Sequence, residues 1–225
     1  MRARIERIGA EAQPVIVIED FVPDPAALRA RAAALAYQPM GRHYPGLRAE
    51  VAPGDIAEFC APILDLVVDT FGLAGTPALV SAAYSIVTTQ PGDLTPIQRI
   101  PHIDGLEPTR IALLHYLCDE GQGGTAFWRH RSTGFETIDA ARHPVYDAAL
   151  HRDVAQHGLP SPDYIRDDTP IYECIARFAA APNRALIYRS HSLHCADLPG
   201  DLDYSPDPAR ARLTVNTFLL GQSRG

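Results

Sequence analysis

Cysteine is scarce in this chain, long apolar runs are missing, and basic residues are outnumbered; each shortage closes a class of explanation. The four cysteines, Cys60, Cys118, Cys174 and Cys195, are scattered over 225 residues with no C-x-x-C pair. That spacing argues against a disulfide framework and against structural zinc, and leaves buried free thiols. No stretch approaches a membrane span, and the opening MRARIERIGAEAQP lacks the apolar core of a secretory signal. The expectation is a soluble, cytoplasmic protein with no membrane partner. Lys and Arg number 20 against 27 Asp and Glu, for a formal net charge of −7 at pH 7. Without a basic stripe, nucleic acid is not an expected partner. No internal repeat or low-complexity tract is visible.

Proline, by contrast, is plentiful. Twenty prolines argue against an all-helical bundle and for short strands joined by turns. PVIVIEDFVPDP reads as a short buried strand closed by Pro23 and Pro25, and DPAALRARAAALA as a helix with Asp24 at its N-cap. HYPGLRAEV reads as a loop, and GDIAEFCAPILDLVVDTFG as a second amphipathic helical stretch ending at Gly72. The texture then changes. ALVSAAYSIVTT, TRIALLHYLC, GGTAFWRH, RALIYRSHSLHCA and RLTVNTFLLG are short β-leaning segments punctuated by Gly, Pro and Asp. Between the third and fourth lies a predicted helical insert, about 140–180, built from ARHPVYDAALHRDVAQHG and TPIYECIARFAA. The expected fold class is mainly β with packed helices (α+β), a β-barrel or jelly roll. The length suits one domain, 1–225, with 1–78 packing on a core of residues 79–222.

With nine histidines and acidic residues throughout, one His-x-Asp is expected by chance, and two occur. Side chains at i and i+2 share one face of a strand but are turned by roughly 200° on a helix. His151 and Asp153 sit in YDAALHRDVAQHG, which reads as helix, so they diverge onto a solvated surface. His102 and Asp104 follow TPIQRIP, where Pro101 biases the chain towards an extended form; that pair can converge on one ion. A third ligand must come from elsewhere, and YRSHSLHCADLPG offers His191 and His194. A His/Asp/His set on one face of a metal leaves three positions open, the facial triad of non-haem Fe(II) oxygenases. Eighteen residues after His194, Arg212 and Thr214 alternate with Leu213 and Val215. An arginine pointing into a barrel is costly unless an acid meets it, and the far carboxylate of a dicarboxylate would do so. On the opposite reading Arg212 faces solvent and only Leu213 and Val215 are core.

These residues resemble the Fe(II)/2-oxoglutarate-dependent dioxygenases, double-stranded β-helix proteins with an H-x-D…H triad followed by R-x-S/T. The positions that match are His102, Asp104, His194, Arg212 and Thr214, and GGTAFW is similar to a Gly-Gly segment in prolyl-hydroxylase-like members. The resemblance spans roughly residues 80–222, and VIVIEDFVPDPAALRARA is similar to the lead-in of small bacterial relatives. The stretch from His194 to Arg212 is longer than in many of those relatives, so Arg210 stands as an alternative to Arg212, and His191 as one to His194. The resemblance implies Fe(II) on the triad and 2-oxoglutarate as cosubstrate, its distal carboxylate held by Arg212 and Thr214, with no catalytic residue beyond the metal ligands. Tyr116 joins the cosubstrate set, and Gln98, Tyr84 and Tyr188 are further candidates to orient ligands. Phe127 and Trp128 are candidates for either pocket or core, and the insert for a lid. Implied partners are dioxygen and a small-molecule or peptidyl substrate to be hydroxylated, and a homodimer is an open assembly. Two alternatives use the same residues differently: a cupin-type metal enzyme indifferent to Arg212, and a non-catalytic binding barrel.

Overall fold

The computed structural model describes residues 1–41 and 43–224, with Pro53 and Glu58 described by their backbone alone. Ten strands and four helices follow one another as β1 (Arg2–Ile8), β2 (Gln13–Glu19), α1 (Pro25–Ala33), β3 (Gly46–Glu50), α2 (Pro53–Cys60), α3 (Leu64–Phe71), β4 (Ala78–Val87), β5 (Arg110–Tyr116), β6 (Gly124–His130), α4 (His143–His157), β7 (Tyr172–Ala179), β8 (Ala185–Arg189), β9 (His194–Asp197) and β10 (Leu213–Leu220). The fold is mainly β, with two sheets. A seven-stranded sheet runs β1-β2-β8-β5-β10-β4-β3 and a three-stranded sheet β7-β6-β9, every pairing antiparallel.

Strand parity sorts the apolar side chains into three layers. In β2, β5 and β8, Ile16, Ile18, Leu113 and Ile187 point to one face of the large sheet, where Leu28, Ile63, Val67 and Phe71 of the helical segments cover them. The alternate residues Val17, Leu114, Leu186 and Tyr188 point to the other face and meet Phe127 and Phe178 of the small sheet. The far side of the small sheet carries Trp128 and Tyr172, covered by Tyr146, Leu150 and Val154 of α4. The central strands are therefore buried on both faces, which explains their nearly continuous apolar runs.

Helix ends follow local chemistry. The Asp24 carboxylate accepts the Ala27 N–H at 2.9 Å at the start of α1, and Gly72 closes α3 with φ 66°, a left-handed position where glycine costs least. Among the described residues, no helix is long and apolar enough to cross a membrane.

Several expectations need correction. TPIYECIARFAA forms no helix. Its residues 172–179 are β7, which pairs with β6 and places Tyr172 and Phe178 in different apolar layers, with a bulge opposite Phe127/Trp128 absorbing the change of parity. Tertiary pairing overrides the alanines, and the helical insert shrinks to α4. GLRAE is an edge strand, β3, not loop. Gln98 lies in a 3₁₀ turn, Pro96–Arg99. RALIYRSHSLHCA is two strands, since the chain leaves the large sheet after Arg189 and enters the small sheet at His194.

Candidate metal centre

The crossing from β8 to β9 positions the first set of functional side chains. Pro101 keeps its neighbour extended, and His102 then forms an antiparallel bridge with His194, each N–H donating to the other's carbonyl at 2.9 Å. Two residues on, the Asp104 N–H donates to the Ser190 carbonyl at 2.8 Å. These three backbone bonds fix both side chains of the His-x-Asp pair against His194. The Asp104 carboxylate lies 3.2 Å from His194 Nε2 and 3.6 Å from His102 Nε2, and the imidazole centroids are 4.5 Å apart. One donor atom from each residue falls within 4.8 Å of the others.

The donor set fits a divalent metal, and the reason is a hydrogen bond. His194 Nδ1 lies 2.9 Å from the Ser192 carbonyl, an acceptor, so Nδ1 carries the proton. In the neutral ring Nε2 then presents a lone pair to a carboxylate, two acceptors face to face, and a cation between them removes the conflict. Burial pushes His194 down, but Asp104 and the Ser192 carbonyl outweigh it and leave its pKa raised when a proton must play that part. Desolvation at the cavity and the neighbouring His194 push His102 down, although its side chain is half-exposed there, so it is a neutral ligand at ordinary pH. Burial alone would raise Asp104; His194 and His102 hold it instead at about 2, an ionised donor.

His194 and His102 open onto a cavity of about 540 Å³. Along β10, Arg212, Thr214, Asn216 and Phe218 line it, while Leu213, Val215 and Leu219 point the other way into the core. Arg212 is only 4% exposed. One Nη donates to the Gly124 carbonyl at 2.8 Å, and Nε has no partner among the described residues. Its guanidinium sits 5.5 Å from the Tyr116 ring centroid. A buried guanidinium with no carboxylate beside it carries a charge that an anion entering the cavity could meet. Thr214 Oγ1 donates to Asn216 Oδ1 at 3.0 Å.

The remaining candidates divide clearly. Tyr116 supports the site from behind, its hydroxyl bonded to Thr125 Oγ1 at 2.6 Å and its pKa pushed up to about 12 by burial. Tyr188 lines the cavity and meets His194 edge to face, centroids 4.9 Å apart. Gln98 lines the cavity too, tied to Thr95, whereas Tyr84 lies in the layer beneath the helices. Trp128 is core; its indole N–H donates to Cys195 Sγ at 3.2 Å, and Phe127 packs on Phe178 and Tyr188. His191 is buried away from the cavity, and Arg210 is exposed and paired with Asp203 at 2.7 Å. His151 and Asp153 diverge on α4, but Asp153 is not solvated: it is half-buried, 3.1 Å from His130 Nε2 and 2.5 Å from Ser132 Oγ. Arg48 and Tyr44, in the segment expected as loop, also reach the cavity. The alternation of Leu47, Arg48 and Ala49 was the available signal.

Many solved structures are similar, three of them as follows. HygX from Streptomyces hygroscopicus, with nickel, 2-oxoglutarate and hygromycin B bound, is 13% identical with a TM-score of 0.54, over 94% of this chain and 84% of that one. AviO1 from Streptomyces viridochromogenes Tue57 is 13% identical with a TM-score of 0.51, over 95% and 92%. SnoK, a non-heme alpha ketoglutarate dependent carbocyclase from nogalamycin biosynthesis, is 13% identical with a TM-score of 0.51, over 93% and 80%. This likeness, at 13% identity, is one of fold alone. No curated protein matches the chain. By sequence, over residues 1–219, the chain belongs to the family of unknown function DUF6445.

Proposed function

We propose that the protein is a non-haem Fe(II)- and 2-oxoglutarate-dependent oxygenase of the hydroxylating type, acting on a small-molecule or peptidyl substrate. One observation carries the reading: a His/Asp/His donor set and a buried arginine without a carboxylate partner face the same cavity. The first suits a hard or borderline divalent ion with positions left open, and the second suits the far end of a dicarboxylate. On this reading the two sheets are the walls of a double-stranded β-helix, and the whole chain is one domain with residues 1–78 packed on that core.

His102, Asp104 and His194 would hold the iron, which with 2-oxoglutarate and dioxygen supplies the oxidation of an unactivated C–H bond. The chain's own residues bind, orient and shield. Ser192 holds the proton on His194 Nδ1 and so frees Nε2 for the metal. Arg212 and Thr214 hold the distal carboxylate, with Tyr116 fixing the guanidinium through its ring. Tyr188 and α4 wall the cavity against water.

Anaerobic visible spectroscopy tests the reading. Purified protein with Fe(II) and 2-oxoglutarate should develop the weak charge-transfer band of a chelated 2-oxo acid. His102→Ala should abolish it. Arg212→Leu should raise the 2-oxoglutarate concentration needed about 30-fold or more, the loss expected when one partner of a buried charge pair is removed. Metal binding without the band would refute the use of 2-oxoglutarate.

A further inference from the structure

The cavity holds a second arginine that the proposed reaction does not use. Arg48 lies on β3, directly across from Ser85 on β4; Ser85 faces Thr214 on β10, and Thr214 faces Tyr116 on β5. The four side chains form one row over the inner face of the large sheet. Arg48 Nε donates to Ser85 Oγ at 3.2 Å, and its guanidinium stacks 3.9 Å from the Tyr44 ring centroid. Most other partly buried arginines have carboxylates, as Arg129 does with Glu136 at 2.6 Å, Arg166 with Asp163 at 2.7 Å and Arg184 with Glu19 at 2.8 Å. Arg48 has no carboxylate within ion-pair distance among the described residues. Its outer nitrogens are held in place by stacking and left open to the cavity.

Charge decides what meets it. In the loaded site proposed above, a divalent ion is offset by Asp104 and one carboxylate of 2-oxoglutarate, and Arg212 offsets the other carboxylate. The charge of Arg48 is then unmatched, in a cavity where an unmatched cation is costly. Arg48 and Thr214 stand two strands apart, about 10 Å between backbones, so two anionic groups have room side by side. We propose that Arg48, stacked on Tyr44, receives a carboxylate of the primary substrate, so that the substrates are carboxylic acids. The inference rests on the oxygenase reading for the role of the acid, while the anion site itself stands on Arg48 alone. Arg48 lines the same cavity as His102, Asp104 and His194. An acid seated there would lie beside the reacting centre.

Two measurements separate the possibilities. In the first, phenylglyoxal labels the arginines of the wild-type apoprotein, with the Arg48 peptide followed by mass spectrometry in the presence of benzoate, benzamide, hexanoate or hexanamide. The acids should protect Arg48 at concentrations about tenfold lower than the amides, the ratio one charge-assisted hydrogen bond supports. Equal protection by acid and amide, or none by either, overturns the proposal. In the second, Arg48→Gln is titrated anaerobically with Fe(II) and 2-oxoglutarate, and the visible band should form as in wild type. A band that forms in wild type but not in Arg48→Gln makes Arg48 the cosubstrate anchor and overturns the proposal. A band missing from wild type defeats the oxygenase reading and leaves the labelling result to decide the anion site.

Discussion

What faces the free ring nitrogen separates a histidine that can ligate from one that cannot. At His194 the Ser192 carbonyl takes the Nδ1 proton and turns a lone pair towards Asp104. At His115, Nε2 lies 3.0 Å from Asn183 Oδ1, Nδ1 has no partner among the described residues, and the ring packs edge-on against Phe21 at 5.0 Å. Burial pushes its pKa from 6.5 down to about 4. Between those values the unfolded chain binds a proton that the folded one refuses, so this contribution to stability is complete above pH 6.5 and is lost as pH falls. Between pH 7.5 and 5 the loss from this one ring should be about 2 kcal/mol. Urea unfolding at both pH values should show a smaller drop for His115→Gln, whose amide can still donate to Asn183. Equal drops would clear His115 of the effect. At this scale the nearness of His102 to Asp104 and the side of β10 that Arg212 takes were legible, because strand parity lets i and i+2 converge and sets Arg212 against Leu213. Arg48 was not, because one polar residue between two apolar ones in a five-residue edge strand is a weak signal beside Pro45 and Gly46. Asp153 was misjudged because its partner, His130, lies on a distant strand.

Elements matter where backbones touch. Gly123 has φ 93°, and a Cβ there would lie 2.3 Å from the Asp197 carbonyl oxygen; at Gly124 it would lie 2.2 Å from that of Phe178. The Gly-Gly pair is therefore what lets β6 take β9 on one side and β7 on the other. Its second carbonyl also accepts the Arg212 guanidinium. Gly124→Ala must push β7 away or shift β6, and should cost about 2–4 kcal/mol, as overpacking against backbone does. Gly92→Ala, where a Cβ meets nothing within 4 Å, is the control and should stay within about 0.5 kcal/mol. Denaturant midpoints compare them, and a neutral Gly124→Ala would mean the strands yield freely. The doubled glycine was readable as a strand entry; the strand it serves was not. Residues 172–179 carry enough alanine to suggest a helix, and only the open edge of β6 makes them β7. β1 and β3 were missed for the same reason, since edge strands take their structure from a partner and carry little periodicity of their own.

For the molecule as a whole, the donor set lies where the two sheets are joined. β8 belongs to the large sheet and β9 to the small one, and His194 is the first residue of β9, where the connection between them ends. His102 and Asp104 come from a separate segment, stitched to that connection by backbone bonds to His194 and Ser190. An ion on these three residues thus cross-links chain segments about ninety residues apart in sequence, at a junction the unfolded chain does not possess. Binding to the folded state alone stabilises it by mass action, about 2.7 kcal/mol at a hundredfold excess over the dissociation constant. For a chain of this size that corresponds to a rise in Tm of roughly 5–10 °C. Thermal unfolding should show this rise with Zn(II), chosen because it is redox-inert, and EDTA should reverse it. His194→Ala should remove the shift whatever it does to the starting Tm, because the cross-link needs the residue that opens β9. His151→Ala, from the other His-x-Asp, should leave the shift intact, since that ring is exposed on α4 and bonded only to the helix beneath it. A wild-type Tm indifferent to Zn(II) would show that the three donors, close as they are, hold a proton between them rather than a metal.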